Sequence, residues 1–288
     1  GKSSTYALIF RYAEARRDRF TLFCVLVVAI STSAMLARHA LFGRVASSLW
    51  PSCRCFPSVG SLTTLLSDTH CPVAAEILVP NRSFLVPDAL SASECTSLVA
   101  WAEARGFEES GVDLRVRRSA SEGAVAVMRK DVRNNERLMQ DDGAFTAALF
   151  ARLAPAFPPR FTGMRGTVLA LHSFNPRLRF YKYSPGAHFR PHSDGAFLDD
   201  TQGTQQVHTV LVYLNTLPPG SGGATHFHSA LPRRWAEGAP MSEPPSLSVQ
   251  PRAGLALAFY HKMVHEGETV HQGCKYVLRV DTMYKPCS

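Results

Sequence analysis

YSPGAHFRPHSD at residues 183–194 and HEGETVHQGCKYVLRVDTMY at residues 265–284 carry most of the functional information in this chain. His192 and Asp194 stand two residues apart, so in an extended segment their side chains point to the same side. His265 opens the second stretch, 71 residues after Asp194, and supplies a second imidazole. The two histidines and the carboxylate together predict a metal site.

The residues around these three side chains extend the pattern. They are Tyr183-Ser184-Pro185-Gly186 and Phe189 before His192, Tyr213-Leu214-Asn215 and Gly222-Gly223 after Asp194, and Lys275-Tyr276, which begins ten residues past His265. In this order they resemble the 2-oxoglutarate- and Fe(II)-dependent dioxygenases, in particular the catalytic domains of prolyl 4-hydroxylases. Two histidines and a carboxylate that leave one side of the metal open are the ligand set of such enzymes. The resemblance is strongest from about Arg179 to Tyr284.

This resemblance implies a fold, cofactors and a reaction. The fold is mostly β with flanking α, a double-stranded β-helix (a cupin-like jelly roll) preceded by supporting helices. The cofactors are Fe(II), 2-oxoglutarate and ascorbate, and O2 is consumed. The reaction is the oxidative decarboxylation of 2-oxoglutarate to succinate and CO2, coupled to hydroxylation of a substrate. His192, Asp194 and His265 are then the metal ligands, and no other catalytic side chain is required.

Other histidines compete for the role of ligand. His271 could replace His265, but the spacing to Gly267, Val270, Gly273 and Lys275 matches the family only when it is counted from His265. His226-Phe227-His228 could form a second metal-binding pair. We expect the latter pair to belong to a strand at the mouth of the pocket instead.

The far carboxylate of 2-oxoglutarate needs a cation, because an unpaired buried charge is costly. Lys275 stands where the resembling prolyl hydroxylases carry that cation. Arg279 lies four residues further along the same strand face and could share or take over the role, since a guanidinium binds a carboxylate with two hydrogen bonds. A salt bridge to Asp281 is the structural alternative for Arg279. Three hydroxyls are further candidates for binding the co-substrate, with core packing as the alternative: Tyr183, Tyr213 and Thr225.

The pattern along the chain agrees with the implied fold. Ser91 and Glu94 have the spacing of a capping box and predict a helix that ends near Arg105. Residues 145–153 predict a second helix. Short alternating runs typical of a jelly roll predict later strands, at residues 178–183, 209–214, 255–260 and 276–283. The sequence also predicts a β-rich lead-in at residues 76–86 and a surface loop at residues 229–250.

The N-terminal part differs from the rest in charge. Residues 1–60 carry a net charge of +6, and residues 61–288 carry +2. The basic character of the chain therefore belongs mainly to its beginning, and we predict no nucleic-acid partner for the catalytic part.

Residues 20–37 form an uncharged, apolar run that follows three arginines. Its length and flanks predict a signal anchor with a cytoplasmic N-terminus and a translocated catalytic domain. The expected location is the membrane of the endoplasmic reticulum or another secretory compartment, with a cleaved secretory or organelle-targeting sequence as the alternative. The resulting division is a tail at 1–40, a linker at 41–75 and a dioxygenase domain at 76–288.

Six of the seven cysteines follow this apolar run, an even number that suits disulfides in an oxidising compartment. Free thiols are the alternative, and the sequence does not determine a pairing. The six are Cys53, Cys55, Cys71, Cys95, Cys274 and Cys287.

Three functions remain open from the sequence. The first is hydroxylation of a peptidyl substrate, with proline as the leading target. The second is the same chemistry on a small molecule or another non-prolyl substrate. The third is a membrane-tethered binding protein without catalysis. The segment from Asp131 to Arg137 could shape the substrate entrance or form a charged surface turn, and the oligomeric state is undetermined.

Overall fold

A computed structural model of the chain describes residues 61–67, 72, 74–110, 129–163, 166–230, 241 and 243–287. The chain divides after Pro57, and every described residue belongs to the unit Ser58–Ser288. The predicted tail, with its apolar segment 20–37, lies outside the described residues. Within the described parts, no helix is both long enough and apolar enough to cross a membrane.

Two helices precede most of the strands, α1 (Ala92–Arg105) and α2 (Gly143–Leu153). At the start of α1, the Ser91 hydroxyl accepts from the backbone N–H of Glu94, and the Glu94 carboxylate accepts from the backbone N–H of Ser91, at 3.2 and 2.7 Å. The predicted capping box is therefore confirmed. Asp142 caps α2 by accepting from the backbone N–H of Phe145 at 2.9 Å, a cap that the sequence prediction missed.

The strands form two antiparallel sheets. In chain order the strands are β1 (Glu76–Val79), β2 (Ser83–Val86), β3 (Glu108–Glu109), β4 (Glu136–Asp141), β5 (Arg160–Thr162), β6 (Val168–Phe174), β7 (Arg177–Tyr183), β8 (Phe189–His192), β9 (Leu198–Asp199), β10 (Thr204–Tyr213), β11 (Thr225–His228), β12 (Leu247–Val249), β13 (Ala256–Tyr260), β14 (Val264–Gly267) and β15 (Lys275–Pro286). The large sheet follows the order β1-β2-β13-β10-β15-β7-β4-β3, with β5, β6 and β9 attached at the side. The small sheet follows the order β12-β11-β14-β8. The predicted fold, a jelly roll with flanking helices, is confirmed.

Side chains of the large sheet alternate between two cores, as the period of two in a strand requires. On one face, which we call the helix-covered face, Val210 and Val212 pack in the same core as Leu98 of α1. On the other, which we call the inner face, Leu211 and Tyr213 belong to a second core. The helices cover the first face, where the ring of Trp101 on α1 lies 5.4 Å from the ring of Phe180 on β7. The small sheet covers the inner face, where the ring of Phe227 on β11 lies 5.1 Å from the ring of Phe259 on β13.

The structure corrects two boundaries that the sequence suggested. Leu62 lies in the predicted linker, yet it is 2 % exposed in the core of the helix-covered face. The packed part of the chain therefore begins before residue 76. The predicted surface loop at 229–250 is wrong at its end, because Leu247–Val249 pairs with β11 as a strand. Residues 231–240 and 242 of that loop lie outside the described part of the chain.

The four predicted strand regions are confirmed as β7, β10, β13 and β15, and the lead-in forms β1 and β2. Among the described cysteines, Cys95, Cys274 and Cys287 are free thiols. Cys95 is buried, and burial raises the pKa of its thiol to about 11. This thiol is therefore a core residue, and it is not a reactive thiolate.

Candidate active site

The two histidines of the predicted metal site lie opposite each other on neighbouring strands of the small sheet. β8 and β14 are antiparallel, and their register pairs His192 with His265. Asp194 follows β8, and its two carboxylate oxygens lie 3.9 Å from the Nε2 atoms of the two histidines. One ligand atom from each of the three residues lies within 4.8 Å of the others, an arrangement that no other such group of the described residues shows.

Both imidazoles are oriented by backbone carbonyls. His192 donates from Nδ1 to the carbonyl of Arg190 at 2.7 Å, and His265 donates from Nδ1 to the carbonyl of Met263 at 2.9 Å. Because a carbonyl only accepts, the Nδ1 atoms hold the protons and the Nε2 lone pairs face Asp194. Burial lowers the pKa of His192 to about 3 and also lowers that of His265. The two rings are therefore neutral, the form that binds a metal.

The Asp194 carboxylate is 7 % exposed and ionised. Burial opposes its ionisation, but the Arg279 guanidinium holds its pKa below the usual range. Two neutral imidazoles and one carboxylate converge here, with Asp194 and His265 buried and His192 partly buried. They fit a divalent iron ion well, because they include both nitrogen and oxygen donors and leave one side open.

A pocket extends from the three ligands to Lys275, and Tyr183, Thr225 and Arg279 also line it. The Lys275 side chain is 2 % exposed and donates from Nζ to the carbonyl of Gly223 at 2.6 Å. No carboxylate of the described residues forms an ion pair with it. Its ammonium instead lies 5.2 and 5.4 Å from the centroids of the Tyr183 and Tyr213 rings. Burial lowers the pKa of Lys275 to about 7, against an opposing effect of Glu268. The pocket thus ends at a buried cation that lacks an anion.

Comparison with known proteins gives one decisive match. Residues 178–280 match the sequence profile of the 2OG-Fe(II) oxygenase superfamily. This region contains all three candidate ligands, Lys275 and Arg279. The chain carries a 2OG-Fe(II) oxygenase domain. The predictions of a 2-oxoglutarate-dependent dioxygenase and of its cofactors Fe(II), 2-oxoglutarate and ascorbate are confirmed.

No curated protein matches the chain, whereas several solved structures are similar to it. A Pseudomonas putida prolyl-4-hydroxylase is 19 % identical over 70 % of this chain and 93 % of that one, with a TM-score of 0.48. A viral collagen prolyl hydroxylase from Paramecium Bursaria Chlorella virus-1, bound to 2-oxoglutarate, is 18 % identical over 72 % and 97 %, with a TM-score of 0.45. A Trichoplax adhaerens prolyl hydroxylase in complex with a hypoxia inducible factor peptide is 15 % identical over 70 % and 84 %, with a TM-score of 0.48.

Arg279 of the oxygenase domain differs from Lys275 in its partners. Its Nη1 atom donates to Asp194 at 2.8 Å, and its Nε atom donates to Asp281 at 3.0 Å. The salt bridge to Asp281, which the sequence offered as the structural alternative, is therefore present. Of the two candidate cations for 2-oxoglutarate, only Lys275 is without a carboxylate partner among the described residues.

The candidate hydroxyls occupy two layers of the oxygenase pocket. Tyr183 and Thr225 line it, whereas Tyr213 is fully buried behind Thr225 and donates to the hydroxyl of that residue at 2.8 Å. Burial raises the pKa of Tyr183 and of Tyr213, so both phenols stay protonated. Tyr213 therefore combines core packing with support of a pocket residue.

The competing histidines lie away from the three ligands of the oxygenase. His271 is exposed, and the structure brings His265 to the site in its place. His226 and His228 contact Ser248 and Glu266, at 2.8 and 3.1 Å. They belong to β11 beside the pocket, as the sequence predicted, and they form no convergent set of three ligands.

Three residues support the oxygenase site in roles that the sequence had not assigned to them. The Phe189 ring stacks on His192 with centroids 3.6 Å apart, and Thr209 donates to Asp194 at 2.6 Å. Arg133, from the segment whose role was open, is 7 % exposed and lies 4.5 Å over the Phe189 ring. At Arg133 this segment supports the pocket wall and is not a surface turn. Phe189 had a sequence signal, since it stands in the pattern before His192. Thr209 had none.

Proposed function

We propose that this dioxygenase hydroxylates a peptidyl substrate, with proline as the leading target, and that His192, Asp194 and His265 hold its Fe(II). The observation that carries the proposal is the convergence of two neutral imidazoles and one ionised carboxylate at one end of a pocket whose other end is the buried cation of Lys275. When bound there, Fe(II) would supply the activation of O2 that couples decarboxylation of 2-oxoglutarate to hydroxylation of the substrate.

In this proposal Lys275 binds the far carboxylate of 2-oxoglutarate. A lysine ammonium has three donors, and Gly223 takes one of them. The carboxylate would supply the negative charge that the protein does not place beside Lys275. The hydroxyl groups of Thr225 and Tyr183 line the same space and are available as further donors to the co-substrate.

A groove beside the iron site supports a chain-like substrate. Glu266 and Gly267 line both the active-site pocket and this groove, which has a volume of about 370 Å³ and is also lined by Arg190, His226 and Pro244. An open groove that continues from the reaction site suits an extended segment that runs past the iron, because such a segment needs contacts on either side of the reacting residue.

We also propose that residues 20–37 anchor the protein to a membrane of the secretory pathway, with the oxygenase domain on the lumenal side. The support is the sequence pattern itself, an uncharged apolar run of sufficient length behind three arginines. A glycosylation acceptor introduced near the exposed Asp200 would test the topology, since only a lumenal domain would be glycosylated.

The central experiment measures succinate formation by the purified protein with Fe(II), ascorbate and 2-oxoglutarate, together with the mass of proline-containing peptides after the reaction. We expect a peptide to gain one oxygen atom with the wild type and none with His265→Ala. Succinate without oxygen gain in any proline peptide would reject proline and direct the search to other residues and small molecules. Absence of both Fe(II) and 2-oxoglutarate binding would reject the site assignment.

A further inference from the structure

The three candidate metal ligands are held in different ways. His192 and His265 lie on paired strands, and each ring is fixed by the backbone carbonyl two residues earlier in the chain. Asp194 lies outside any strand, and its carboxylate has no such local partner. Its orientation must therefore come from residues of the large sheet.

Two residues of the large sheet supply that orientation, one for each carboxylate oxygen. Arg279 on β15 donates to Oδ1 of Asp194 at 2.8 Å, and Thr209 on β10 donates to Oδ2 at 2.6 Å. β10 and β15 are neighbours in register, with Thr209 beside Asp281 and Leu211 beside Arg279. The two donors are thus fixed relative to each other by the backbone hydrogen bonds of the sheet.

A second carboxylate, that of Asp281, also holds the Arg279 guanidinium. Asp281 is fully buried and accepts from Nε of Arg279 at 3.0 Å and from Nη1 of Arg179 at 2.8 Å. The two arginines and the two aspartates form a network without net charge. A guanidinium held by two carboxylates in this way has little freedom to turn toward a third one.

We infer that Arg279 is a positioning residue for the iron ligand Asp194 and that it does not bind 2-oxoglutarate. This inference rests on the proposed iron site. One hydrogen bond on each oxygen fixes the rotation of the Asp194 carboxylate and leaves each oxygen a lone pair for a metal. The restraint therefore holds the carboxylate toward the two imidazoles in the orientation that metal binding requires.

The test separates metal affinity from co-substrate affinity. Mn(II) binding is measured by calorimetry in the absence of 2-oxoglutarate, and 2-oxoglutarate binding is measured at saturating Mn(II). We expect Arg279→Gln to weaken Mn(II) binding by about tenfold or more, as outer partners of metal ligands typically do. We expect the affinity for 2-oxoglutarate to change by less than about threefold, because Lys275 remains in place.

Arg179→Gln is the matched control. It removes the same type of side chain from the opposite position of the neighbouring strand and breaks the same Asp281 network, but it leaves the contact of Arg279 with Asp194. We expect it to leave Mn(II) affinity near the wild-type value. An equal loss of Mn(II) affinity in both variants would mean that the network acts through folding alone, and it would overturn the inference.

Two further variants cover the case in which Arg279→Gln does not fold. Arg279→Lys keeps the positive charge, so its Mn(II) affinity should lie between the wild-type value and the weaker value expected for Arg279→Gln. Thr209→Val removes the hydrogen bond to Oδ2 of Asp194 with little change in the shape of the side chain. We expect Thr209→Val to alter the visible spectrum of the Co(II)-loaded protein, which reports the coordination of the metal. The inference would be overturned if the Co(II) spectra of Arg279→Lys and Thr209→Val both matched the wild-type spectrum. A loss of 2-oxoglutarate affinity without a loss of Mn(II) affinity, in Arg279→Gln or Arg279→Lys, would also overturn it. Absence of Mn(II) binding to the wild type would instead reject the proposed iron site.

Discussion

The helix-covered face of the large sheet buries Glu94 with all its partners inside the protein, whereas the inner face buries Lys275 without a carboxylate. Glu94 is 3 % exposed and accepts from two backbone N–H groups and from both terminal nitrogens of Arg152. Lys275 is 2 % exposed and has a single carbonyl acceptor. A buried charge with protein partners is compensated within the fold, so that loss of one partner is costly, whereas a buried charge that lacks them marks a place for a ligand.

The largest expected effect comes from Lys275→Met, which should weaken 2-oxoglutarate binding and strengthen the fold. Loss of a buried charge-assisted contact predicts a reduction in affinity of about 100-fold, or about 3 kcal/mol. Removal of an unpaired buried ammonium should raise the free energy of unfolding by about 1–3 kcal/mol. Calorimetry with Mn(II)-loaded protein and urea denaturation measure the two quantities. A variant that loses both affinity and stability would show that Lys275 is a structural residue.

Glu94→Gln should have the opposite profile. It leaves the Arg152 guanidinium buried without its charge partner, so we expect the free energy of unfolding to fall by about 3 kcal/mol. The affinity for 2-oxoglutarate should stay at the wild-type value. The control is Asp141→Asn, which breaks a pair with Arg177 whose side chains are 60 % and 49 % exposed. Its cost should stay below about 1 kcal/mol. Equal costs for the two variants would contradict the role given to burial.

Burial of Lys275 also predicts how co-substrate affinity depends on pH. Burial lowers the pKa of Lys275 to about 7, and only the protonated form attracts a carboxylate. Affinity for 2-oxoglutarate should therefore be highest below pH 7 and should fall by up to about tenfold per pH unit above it. Lys275→Arg is the control, because a guanidinium stays charged throughout this range. We expect its profile to be flat, and a sloping one would assign the pH dependence to another group.

The lowered pKa of Lys275 also determines whether the stability of the fold rises or falls with pH. The unfolded chain binds a proton at Lys275 up to its ordinary pKa, whereas the folded protein releases it near pH 7. Between these values the unfolded state binds more protons, so stability rises with pH over this window through this residue. In Lys275→Met this contribution should disappear, which urea denaturation at two pH values would detect.

The sequence predicted the long elements and the convergence of His192, Asp194 and His265, but it could not choose between the two cations. Lys275 and Arg279 lie on the same face of one strand, and both could reach a carboxylate. The choice depends on two contacts between distant parts of the chain. Arg279 contacts Asp194, 85 residues away, and Asp281 contacts Arg179, 102 residues away. Only the pairing of β15 with β7 and β10 brings these groups together, and pairing between distant strands has no local signal.

The alternation of side chains did not give the bounds of the small-sheet strands, and only the family resemblance predicted a strand at His226-Phe227-His228, for a local reason. β8, β11 and β14 are four residues long, too short for a clear alternation of apolar and polar side chains. Their polar and glycine residues serve the site, as His192, Thr225 and Gly267 illustrate. Where side chains are selected for binding, the pattern that predicts a strand is lost.

The smallest expected effects come from removing one hydroxyl from each face of the large sheet. Ser91→Ala removes the cap of α1 and should lower the free energy of unfolding by about 1 kcal/mol, without a change in 2-oxoglutarate affinity. Thr225→Val leaves the buried Tyr213 hydroxyl without its acceptor and should cost about as much stability. It should also weaken 2-oxoglutarate binding severalfold, because Thr225 lines the pocket. If Thr225→Val lowered stability but left 2-oxoglutarate affinity unchanged, as we expect for Ser91→Ala, the co-substrate would bind through Lys275 without help from the Thr225 hydroxyl.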